Sequence, residues 1–517
     1  MALDSLSRRS FLTTAAAAAA ATLLPAGCNS TGNGKSNSPT IPSSTSPLPQ
    51  AQLSNQPADY TLRIAKASVE IAPGRILFTT TYNGQFPGPL LRFKEGKPVT
   101  IAIYNDTDTP EQLHWHGQTV PANVDGSSEE STPFLIPHSQ QRITFTPGPS
   151  GLRFYHSHIR AGSNLAAGQY SGLVGPVYIE PAQNPGRYDR ELFLVLKEFE
   201  PSLSKGGDMA QDFLSPSTTI SELKQSGESS MQASLARGMP HGYEVGYGGF
   251  TINGKVLGAG EPIRVKQGER ILFHIVNGSA TEIRSLALPG HTFRVIAMDG
   301  NPVPHAAEVP VLWLGTAERI SAIVEMNHPG VWILGDLADD DRKHGMGIVI
   351  EYANRSGKPQ WTTPPKFRWN YSLFANPTAA PTPDETMEML FAKDNAADNG
   401  FNRWTINGIA HPVNGTADPN APMTAAASHT LKHGSRYRIR MRNASDDIHP
   451  IHLHRHTFEL ASYAGKTMSG LKKDVVMVGG YQQVEIDFVA NNPGLTLFHC
   501  HQQLHMDFGF MTLFDYA

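Results

Sequence analysis

The chain has 517 residues, which corresponds to about three domains at roughly 150 residues each. Its 42 Lys and Arg against 46 Asp and Glu give a formal charge of −4, so the composition excludes the basic surface typical of a nucleic-acid-binding protein. With 39% hydrophobic residues it can bury a core, and its 47 Gly and 39 Pro favour a loop-rich β protein. Two Cys exclude a disulfide scaffold, whereas 21 His leave a histidine-based metal protein open.

The N-terminal segment is typical of a bacterial export signal. Arg8 and Arg9 before Phe11 resemble the twin-arginine motif, and the apolar run that follows is short for a membrane span of about 20 residues. Residues 24–28 resemble a lipoprotein cleavage box, although Pro25 stands where Leu is usual, so a lipid anchor at Cys28 and ordinary cleavage nearby both stay open. We expect a signal over residues 1–28, a disordered linker over residues 29–57, and export by the twin-arginine route to the periplasm or cell envelope.

The rest of the chain contains a weak threefold repeat. Each repeat has an Asn-Gly turn, then an alternating apolar strand that ends in an Asn. The turns are Asn83-Gly84, Asn253-Gly254 and Asn407-Gly408, and the strand-ending residues are Asn105, Asn277 and Asn443. Such alternation predicts strands with one buried face, so we expect an all-β chain of three sandwich domains, at residues 58–183, 184–355 and 356–517. The main helical signal, Ser221 to Ala236, falls in an insertion at residues 205–245 of the middle domain.

The histidines follow this repeat in the two outer units. Two His-x-His pairs occur in each, at matching distances from the strand-ending Asn and from a later Gly: His114, His116, His156 and His158 in the first unit, and His452, His454, His499 and His501 in the third. The middle unit has Leu286, Leu288, Gly335 and Leu337 at the same places. Eight histidines repeated at matching positions are poorly explained by chance.

The spacing of these pairs predicts a metal cluster. Residues i and i+2 of a strand lie on one face about 7 Å apart, so each pair presents two imidazoles together. Two pairs in each outer domain would bring eight imidazoles to the seam between the first and third domains. Burial of so many rings is costly unless a metal compensates it. Imidazoles suit zinc, copper, iron or nickel, so the pairs alone do not identify the metal.

Cys500 narrows the choice of metal. It lies between His499 and His501, so its thiol points to the opposite face of the strand, where His449 and His505 can join it. Two imidazoles and one thiolate form the ligand set of a blue copper electron-transfer site. With Cys28 in the leader or lipidated, Cys500 has no disulfide partner.

Four motifs together resemble the copper motifs of the multicopper oxidases, a family that includes laccases, ascorbate oxidase, bilirubin oxidase and bacterial cuprous oxidases. They are His114-Trp115-His116-Gly117, His156-Ser157-His158, His449-Pro450-Ile451-His452-Leu453-His454, and His499-Cys500-His501 with His505. The resemblance covers residues 60–517 and implies three consecutive cupredoxin-like β-sandwich domains with Greek-key topology.

The resemblance also implies four copper ions. A type 1 copper would take His449, Cys500 and His505, and a type 2 copper would take His114 and His452. One type 3 copper would take His116, His156 and His501, and the other would take His158, His454 and His499. Asp125 matches the acidic residue that assists proton delivery to the cluster; the alternative is a simple turn residue before Gly126.

The chain departs from the family pattern at several places. Phe510 stands at the axial position of the type 1 copper, where a non-coordinating residue should raise the reduction potential; a one-residue shift would bring Met511 there instead. Met506 stands where bacterial relatives often have an acidic residue, which puts part of the proton relay in doubt, and Asp507 is one residue further on. Arg455 occupies a place that is commonly Gly.

The resemblance implies a laccase-like oxidoreductase that couples one-electron oxidation of a small reductant to four-electron reduction of O₂ to water. Phenols or aromatic amines are the expected reductants. The alternative is a cuprous- or manganous-ion oxidase, for which Asp339-Asp340-Asp341 is a candidate cation patch, and a copper-free scaffold is a further alternative that the intact ligands argue against. We expect no nucleic-acid partner, and the oligomeric state stays open, since three domains in one chain can close the cluster without a partner.

Overall fold

The computed structural model describes residues 57–182, 187–204, 221–226, 242–411 and 427–517. The predicted export signal, the linker up to residue 56 and Cys28 lie outside these residues, as does most of the insertion at residues 205–245. Residues 221–226 are helical (α1), and the rest of the predicted helix to Ala236 also lies outside them. Among the described residues, no helix combines the length and apolarity that a membrane span requires.

The first third of the chain forms two four-stranded sheets. Their orders are β2-β1-β4-β6 and β3-β8-β7-β5, with β1 parallel to β4 and antiparallel to β2. The strands are β1 (Tyr60–Ala72), β2 (Arg75–Tyr82), β3 (Leu91–Lys94), β4 (Val99–Asn105), β5 (Leu113–His116), β6 (Ser139–Phe145), β7 (Gly151–Ser157) and β8 (Val174–Glu180).

The middle third forms a six-stranded and a five-stranded sheet. Their orders are β10-β9-β12-β17-β14-β15 and β11-β19-β18-β13-β16. The elements are β9 (Arg190–Ser204), β10 (Glu244–Ile252), β11 (Ile263–Val265), β12 (Arg270–Asn277), β13 (Arg284–Ala287), β14 (Phe293–Met298), β15 (Asn301–Val309), β16 (Val311–Leu314), β17 (Arg319–Glu325), β18 (Val331–Asp336), helix α2 (Asp339–Lys343) and β19 (Gly347–Tyr352).

The last third repeats the two-sheet arrangement. The orders are β21-β20-β23-β29-β25-β26, with β27 paired to β25, and β22-β31-β30-β24-β28. The elements are β20 (Glu385–Asp398), β21 (Phe401–Ile406), β22 (His429–Leu431), β23 (Arg436–Asn443), β24 (His449–Leu453), β25 (Phe458–Tyr463), β26 (Lys466–Thr467), β27 (Lys472–Lys473), β28 (Val475–Val478), β29 (Gln483–Val489), β30 (Thr496–Cys500), helix α3 (Gln503–Asp507) and β31 (Met511–Tyr516). The predicted all-β fold is confirmed, whereas the domain boundaries at 183/184 and 355/356 stay a prediction.

The repeated Asn-Gly pairs form tight turns in all three thirds. Asn83, Asn253 and Asn407 have φ values of 55°, 51° and 54°, and the glycines after them are also at positive φ. Two successive residues at positive φ define the turn that suits the right-handed twist of neighbouring strands, which explains the Asn-Gly choice. The Asn side chains also accept backbone N–H groups of the adjoining strand, as Asn253 does from Val195 at 2.7 Å.

The strand-ending Asn residues have a common structural role. Asn105 donates from Nδ2 to the carbonyls of Thr109 and Leu135, at 2.8 and 2.9 Å. Asn443 donates in the same way to the carbonyls of Asp447 and Gly479, at 2.7 and 3.0 Å. Since these buried amides satisfy backbone carbonyls beside the next strand, they fix where that strand starts. The His-x-His pairs therefore follow the Asn at a constant distance.

Candidate metal centres

The predicted His-x-His pairs lie on adjacent antiparallel strands. His114 of β5 is opposite His156 of β7, and His452 of β24 is opposite His499 of β30. All eight side chains of the four pairs are buried. The rings from the two outer thirds stack across the seam, with centroids 4.1 Å apart for His114 and His454.

The eight imidazoles form three groups, and within each group one nitrogen of every ring lies within 4.8 Å of the others. The groups are His114, His116 and His452; His116, His156 and His501; and His158, His454 and His499. The structure therefore brings together every histidine predicted for the cluster: the last two groups are the predicted type 3 sets, and the first is the predicted type 2 pair together with His116.

The ring nitrogens fit a metal. The Nδ1 atoms of His114 and His452 donate to the backbone carbonyls of Asp125 and Asp474, at 2.9 and 2.7 Å. Their Nε2 atoms, and both nitrogens of His158 and of His501, are buried without a hydrogen-bond partner among the described residues. Unpartnered buried nitrogens are rare because they cost free energy, and coordination would remove that cost.

The imidazoles are held neutral, as metal ligation requires. Burial lowers the pKa of His114 and of His499 to about 4, and it lowers the pKa of the other six well below the usual value. Neighbouring imidazoles lower the pKa further in all of them except His114, because two adjacent charged rings would repel each other.

A second group of ligands lies on the opposite face of β30. The Sγ atom of Cys500 is 3.7 Å from Nδ1 of His449 and 3.6 Å from Nδ1 of His505, and the cysteine is free and buried. Burial raises the pKa of the thiol and lowers that of His505 to about 3. A bound metal would offset the raised pKa of the Cys500 thiol, because a thiol that coordinates a metal loses its proton.

Aromatic side chains enclose the Cys500 group. The Trp404 ring centroid is 4.1 Å from that of His505 and 4.9 Å from that of His449. The Phe510 ring lies 4.7 Å from the His449 ring. These buried rings cover the two imidazoles of the Cys500 group.

Phe510 and Met511 point to different faces of the structure. Phe510 faces the Cys500 group, whereas the Met511 sulfur is 3.7 Å from Nη2 of Arg160 and packs with Leu497 and Met506. The structure thus places the Phe510 ring, and not the methionine sulfur, beside the two imidazoles.

Two carboxyl groups lie against His454 of the cluster. Oδ2 of Asp125 is 2.9 Å from Nδ1 of His454, and Oε2 of Glu130 is 3.3 Å from the same nitrogen. Burial raises the pKa of Asp125 to about 6 and raises that of Glu130 well above its usual value. Gly126 is required here because a Cβ would lie 1.9 Å from the carbonyl oxygen of Leu113.

Asp507 lies next to the residues that follow His158. Its Oδ2 accepts the backbone N–H groups of Ala161 and Gly162 at 3.0 and 2.7 Å, and Gln503 donates to its Oδ1 at 2.8 Å. Burial raises the pKa of Asp507 to about 7. Met506 packs among apolar side chains and offers no carboxyl group.

The sequence interpretation missed Glu130 and Asp474. Glu130 follows Asp125 by five residues, and the acidic pair that it forms with Glu129 was an available signal. Asp474 has no such signal, although its Oδ1 lies 3.1 Å from Nε2 of His116. The fold alone brings it to the cluster.

The fold and the two ligand groups define a cupredoxin-like copper protein, and comparisons with known proteins identify the family. Three multicopper oxidase family models match residues 64–184, 216–346 and 375–517. The chain is 28% identical over 460 residues to the multicopper oxidase MmcO of Mycobacterium tuberculosis, covering 86% of this chain and 84% of the relative. The chain therefore belongs to the multicopper oxidase family, as its motifs predicted, and is a copper-binding oxidoreductase.

Solved structures of lower identity agree with the fold. Fet3p, described as a multicopper oxidase that functions in iron import, superposes with a TM-score of 0.67 at 19% identity, over 89% of this chain and 90% of that one. The laccase of Botrytis aclada superposes with a TM-score of 0.69 at 19% identity, over 88% and 87%. At this identity the likeness concerns the fold, and the three cupredoxin-like sandwiches are confirmed.

Proposed function

We propose that the protein is a laccase-like multicopper oxidase with four coppers, which oxidises a small phenolic or other aromatic reductant and reduces O₂ to water. The observation that carries the proposal is the placement of Cys500. Its backbone neighbours His499 and His501 belong to the eight-imidazole cluster, while its sulfur faces His449 and His505. The two ligand groups are thus joined by a few covalent bonds of one strand.

Each proposed copper has its own ligands. His449, Cys500 and His505 would hold the type 1 copper, and His114 and His452 would hold the type 2 copper. The type 3 coppers would be held by His116, His156 and His501, and by His158, His454 and His499. When bound, these coppers supply one-electron oxidation of the reductant and four-electron reduction of O₂.

Asp125 and Glu130 are proposed to hold the protons that water formation needs. Both carboxyl groups meet at Nδ1 of His454, so they share one position beside the cluster. The pKa of Asp125, about 6, lets its carboxyl exchange a proton near neutral pH. Asp507 has a pKa of about 7 and is proposed as a third group that exchanges protons. It would partly replace the acidic residue that bacterial relatives often have at the position of Met506.

The side chain at the axial position of the Cys500 group supports a phenolic reductant. Phe510 is fully buried, lies 4.7 Å from the His449 ring and offers a copper no ligand atom. Without an axial ligand, a type 1 copper should have a higher reduction potential, which favours the oxidation of phenols.

A metal-ion oxidase is the second candidate. Asp446 and Asp447 bind the Lys393 ammonium at 2.6 and 2.5 Å, and Asp447 acts electrostatically on His505. Carboxylates at this position would attract a cation, although Lys393 neutralises one of their two charges. The Asp339–Asp341 patch supports this candidate less, because those carboxylates pair with Arg342, Lys343 and Arg284.

Oxygen consumption by the copper-loaded full chain tests these alternatives. Rates are compared with a phenol, with bilirubin, with Cu(I) and with Mn(II) as reductant. We expect the highest kcat/KM with the phenol. A rate confined to Cu(I) or Mn(II) would establish the metal-ion oxidase, and no uptake with any reductant would refute both candidates. Cys500→Ser is the matched control, since it removes the thiolate without altering the cluster imidazoles.

We also propose export by the twin-arginine route to the periplasm or cell envelope. Arg8 and Arg9 support this proposal from the sequence. Replacing both with Lys in the full chain should retain the protein in the cytoplasm, whereas an unchanged distribution between fractions would refute the route. Cys28→Ala separates the two alternatives for the leader, because a lipid anchor predicts that this variant leaves the membrane fraction.

A further inference from the structure

A buried ion pair links the middle third of the chain to the metal cluster. Arg319 of β17 donates from Nη1 to Oδ1 and from Nη2 to Oδ2 of Asp474, both at 2.6 Å. Both side chains are fully buried. A bidentate pair of this kind fixes the plane of the carboxylate as well as its position.

Asp474 contacts imidazoles from both outer thirds. Its Oδ1 is 3.1 Å from Nε2 of His116, and its backbone carbonyl accepts Nδ1–H of His452 at 2.7 Å. One residue therefore holds a ligand proposed for a type 3 copper and a ligand proposed for the type 2 copper.

The contact with Asp474 decides which nitrogen His116 offers. In His114, His452, His156 and His499 the Nδ1 atom binds a backbone carbonyl, which leaves Nε2 for the cluster. In His116 the carboxylate takes Nε2, and Nδ1 lies 3.4 Å from Nε2 of His156. A carboxylate partner sets both the tautomer and the ring orientation of a metal-binding imidazole.

Gly117 shows how closely this ion pair packs against the first copper motif. A Cβ at Gly117 would lie 2.5 Å from Nη2 of Arg319 and 2.7 Å from Oδ2 of Asp474. Gly117 has a φ of 77°, which also favours glycine. The motif residue after His116 thus leaves room for an arginine of the middle third.

We propose that Arg319, acting through Asp474, is a positioning residue of the cluster, so that the middle third orients His116 and His452 although it supplies no ligand. This inference rests on the proposed function, because it assumes that the eight imidazoles bind copper. The ion pair places the carboxylate, and the carboxylate then holds Nε2 of His116 away from the cluster.

Copper content and spectra of the loaded full chain test the proposal. Asp474→Asn removes the charged acceptor while conserving shape, so we expect the loss of at least one cluster copper or a changed type 2 EPR signal. The blue absorption of the Cys500 site should be unchanged. A wild-type EPR signal and copper content in Asp474→Asn would overturn the proposal.

Asp487→Asn is the matched control. Asp487 of β29 is a buried carboxylate that also binds an arginine with both oxygens, since Arg438 donates to its Oδ1 at 2.7 Å and to its Oδ2 at 3.0 Å. Within the described residues it hydrogen-bonds to none of the imidazoles. We expect this variant to lose stability but to keep the wild-type EPR signal, and equal spectral changes in both Asn variants would overturn the proposal.

Arg319→Lys tests the role of the middle third itself. Lysine keeps the positive charge but lacks the planar fork that binds both carboxylate oxygens, so Arg319→Lys should show the same EPR change as Asp474→Asn. The EPR spectrum of the double variant should differ from wild type no more than that of Asp474→Asn alone. If Asp474→Asn does not fold, the spectrum of Arg319→Lys decides the proposal: a wild-type signal overturns it. Failure of the wild-type chain to load a cluster would instead refute the proposed function.

Discussion

Glu111 and Ser157 occupy, in the first third of the chain, the places that His449 and Cys500 occupy in the last. The strand pairs match, because Leu113 is opposite Ser157 just as Ile451 is opposite Cys500. In the first third Ser157 donates to Oε2 of Glu111 at 3.1 Å, whereas in the last the Cys500 sulfur faces the His449 ring.

The same pair of strands can therefore carry cluster histidines on one face and either a hydrogen bond or a second metal site on the other. The inner face carries two His-x-His pairs in both outer thirds, and the outer face is free to differ. A carboxyl and a hydroxyl there give a hydrogen bond, while an imidazole and a thiol give a copper ligand set. The first third therefore contributes to the cluster alone, and the last third contributes to both sites.

Copying the first third into the last should have the largest effect. His449→Glu combined with Cys500→Ser should fold, because Glu111 and Ser157 are accommodated in the same strand geometry, but it should bind three coppers in place of four. Oxygen consumption should fall to background with every reductant, since no thiolate remains. Copper analysis and absorption spectra check this, and a retained blue band would contradict the comparison.

The Glu111 carboxyl should make stability fall as pH rises. Burial raises the pKa of Glu111 to about 8 in the folded protein, whereas its pKa in the unfolded chain is about 4.5. The protonated carboxyl therefore contributes its full stabilisation below pH 4.5, and this stabilisation is lost as the pH rises to 8. Glu111→Gln should therefore stabilise the protein at pH 8 by up to about 1.4 kcal/mol per pKa unit of the shift, and very little at pH 4.

Urea unfolding at several pH values measures this difference. A Glu111→Gln variant whose stability runs parallel to wild type from pH 4 to pH 8 would show that the buried carboxyl does not titrate as expected.

Arg455, which follows His454, is the counterpart of Gly117, which follows His116. Both have positive φ, 59° and 77°, which suits glycine better than arginine. The Arg455 guanidinium nevertheless donates to five backbone carbonyls, those of Val120, Asn492, Pro493, Gly494 and Leu495. Arg455→Gly should relieve about 1 kcal/mol of backbone strain but destabilise the protein by about 1–3 kcal/mol overall. Denaturant unfolding measures this difference. A variant more stable than wild type would show that the five hydrogen bonds of Arg455 do not stabilise the fold.

Phe510→Met should have the smallest effect. A thioether beside His449 donates electron density to copper and should lower the type 1 reduction potential, with stability nearly unchanged. Redox titration of the blue band measures the shift. Met511→Leu is the control, since its sulfur faces Arg160 and its loss should leave the potential unchanged.

Much of the site could be predicted because strand geometry converts local spacing into a shared face. The two-residue spacing of His114 and His116, together with the constant distance from Asn105, was sufficient to find the cluster. The carboxyl groups could not be found in this way. Asp474 and His116 are 358 positions apart in the chain, and Arg319, which binds the Asp474 carboxylate, comes from the middle third. Only the packing of three sandwiches creates such contacts.

The strands of the repeat were also predicted only in part. Alternation predicted one buried face in the strand before each repeated Asn, which is correct for β23, from Arg436 to Asn443. It is wrong for β4 and β12, whose residues are buried on both faces because other parts of the fold cover both sides of these strands. Strand order depends on which sheet edges meet, for example the parallel pairing of β20 with β23, and local periodicity does not carry that information.

Imidazoles from the first and last thirds are proposed to hold a copper cluster beside a separate thiolate site. Copper analysis of the fully loaded full chain, made together with its EPR spectrum, tests this claim. We expect four copper atoms per chain and the EPR signals of both a type 1 and a type 2 copper. A fully loaded chain with a single copper, bound at Cys500 alone, would contradict the claim.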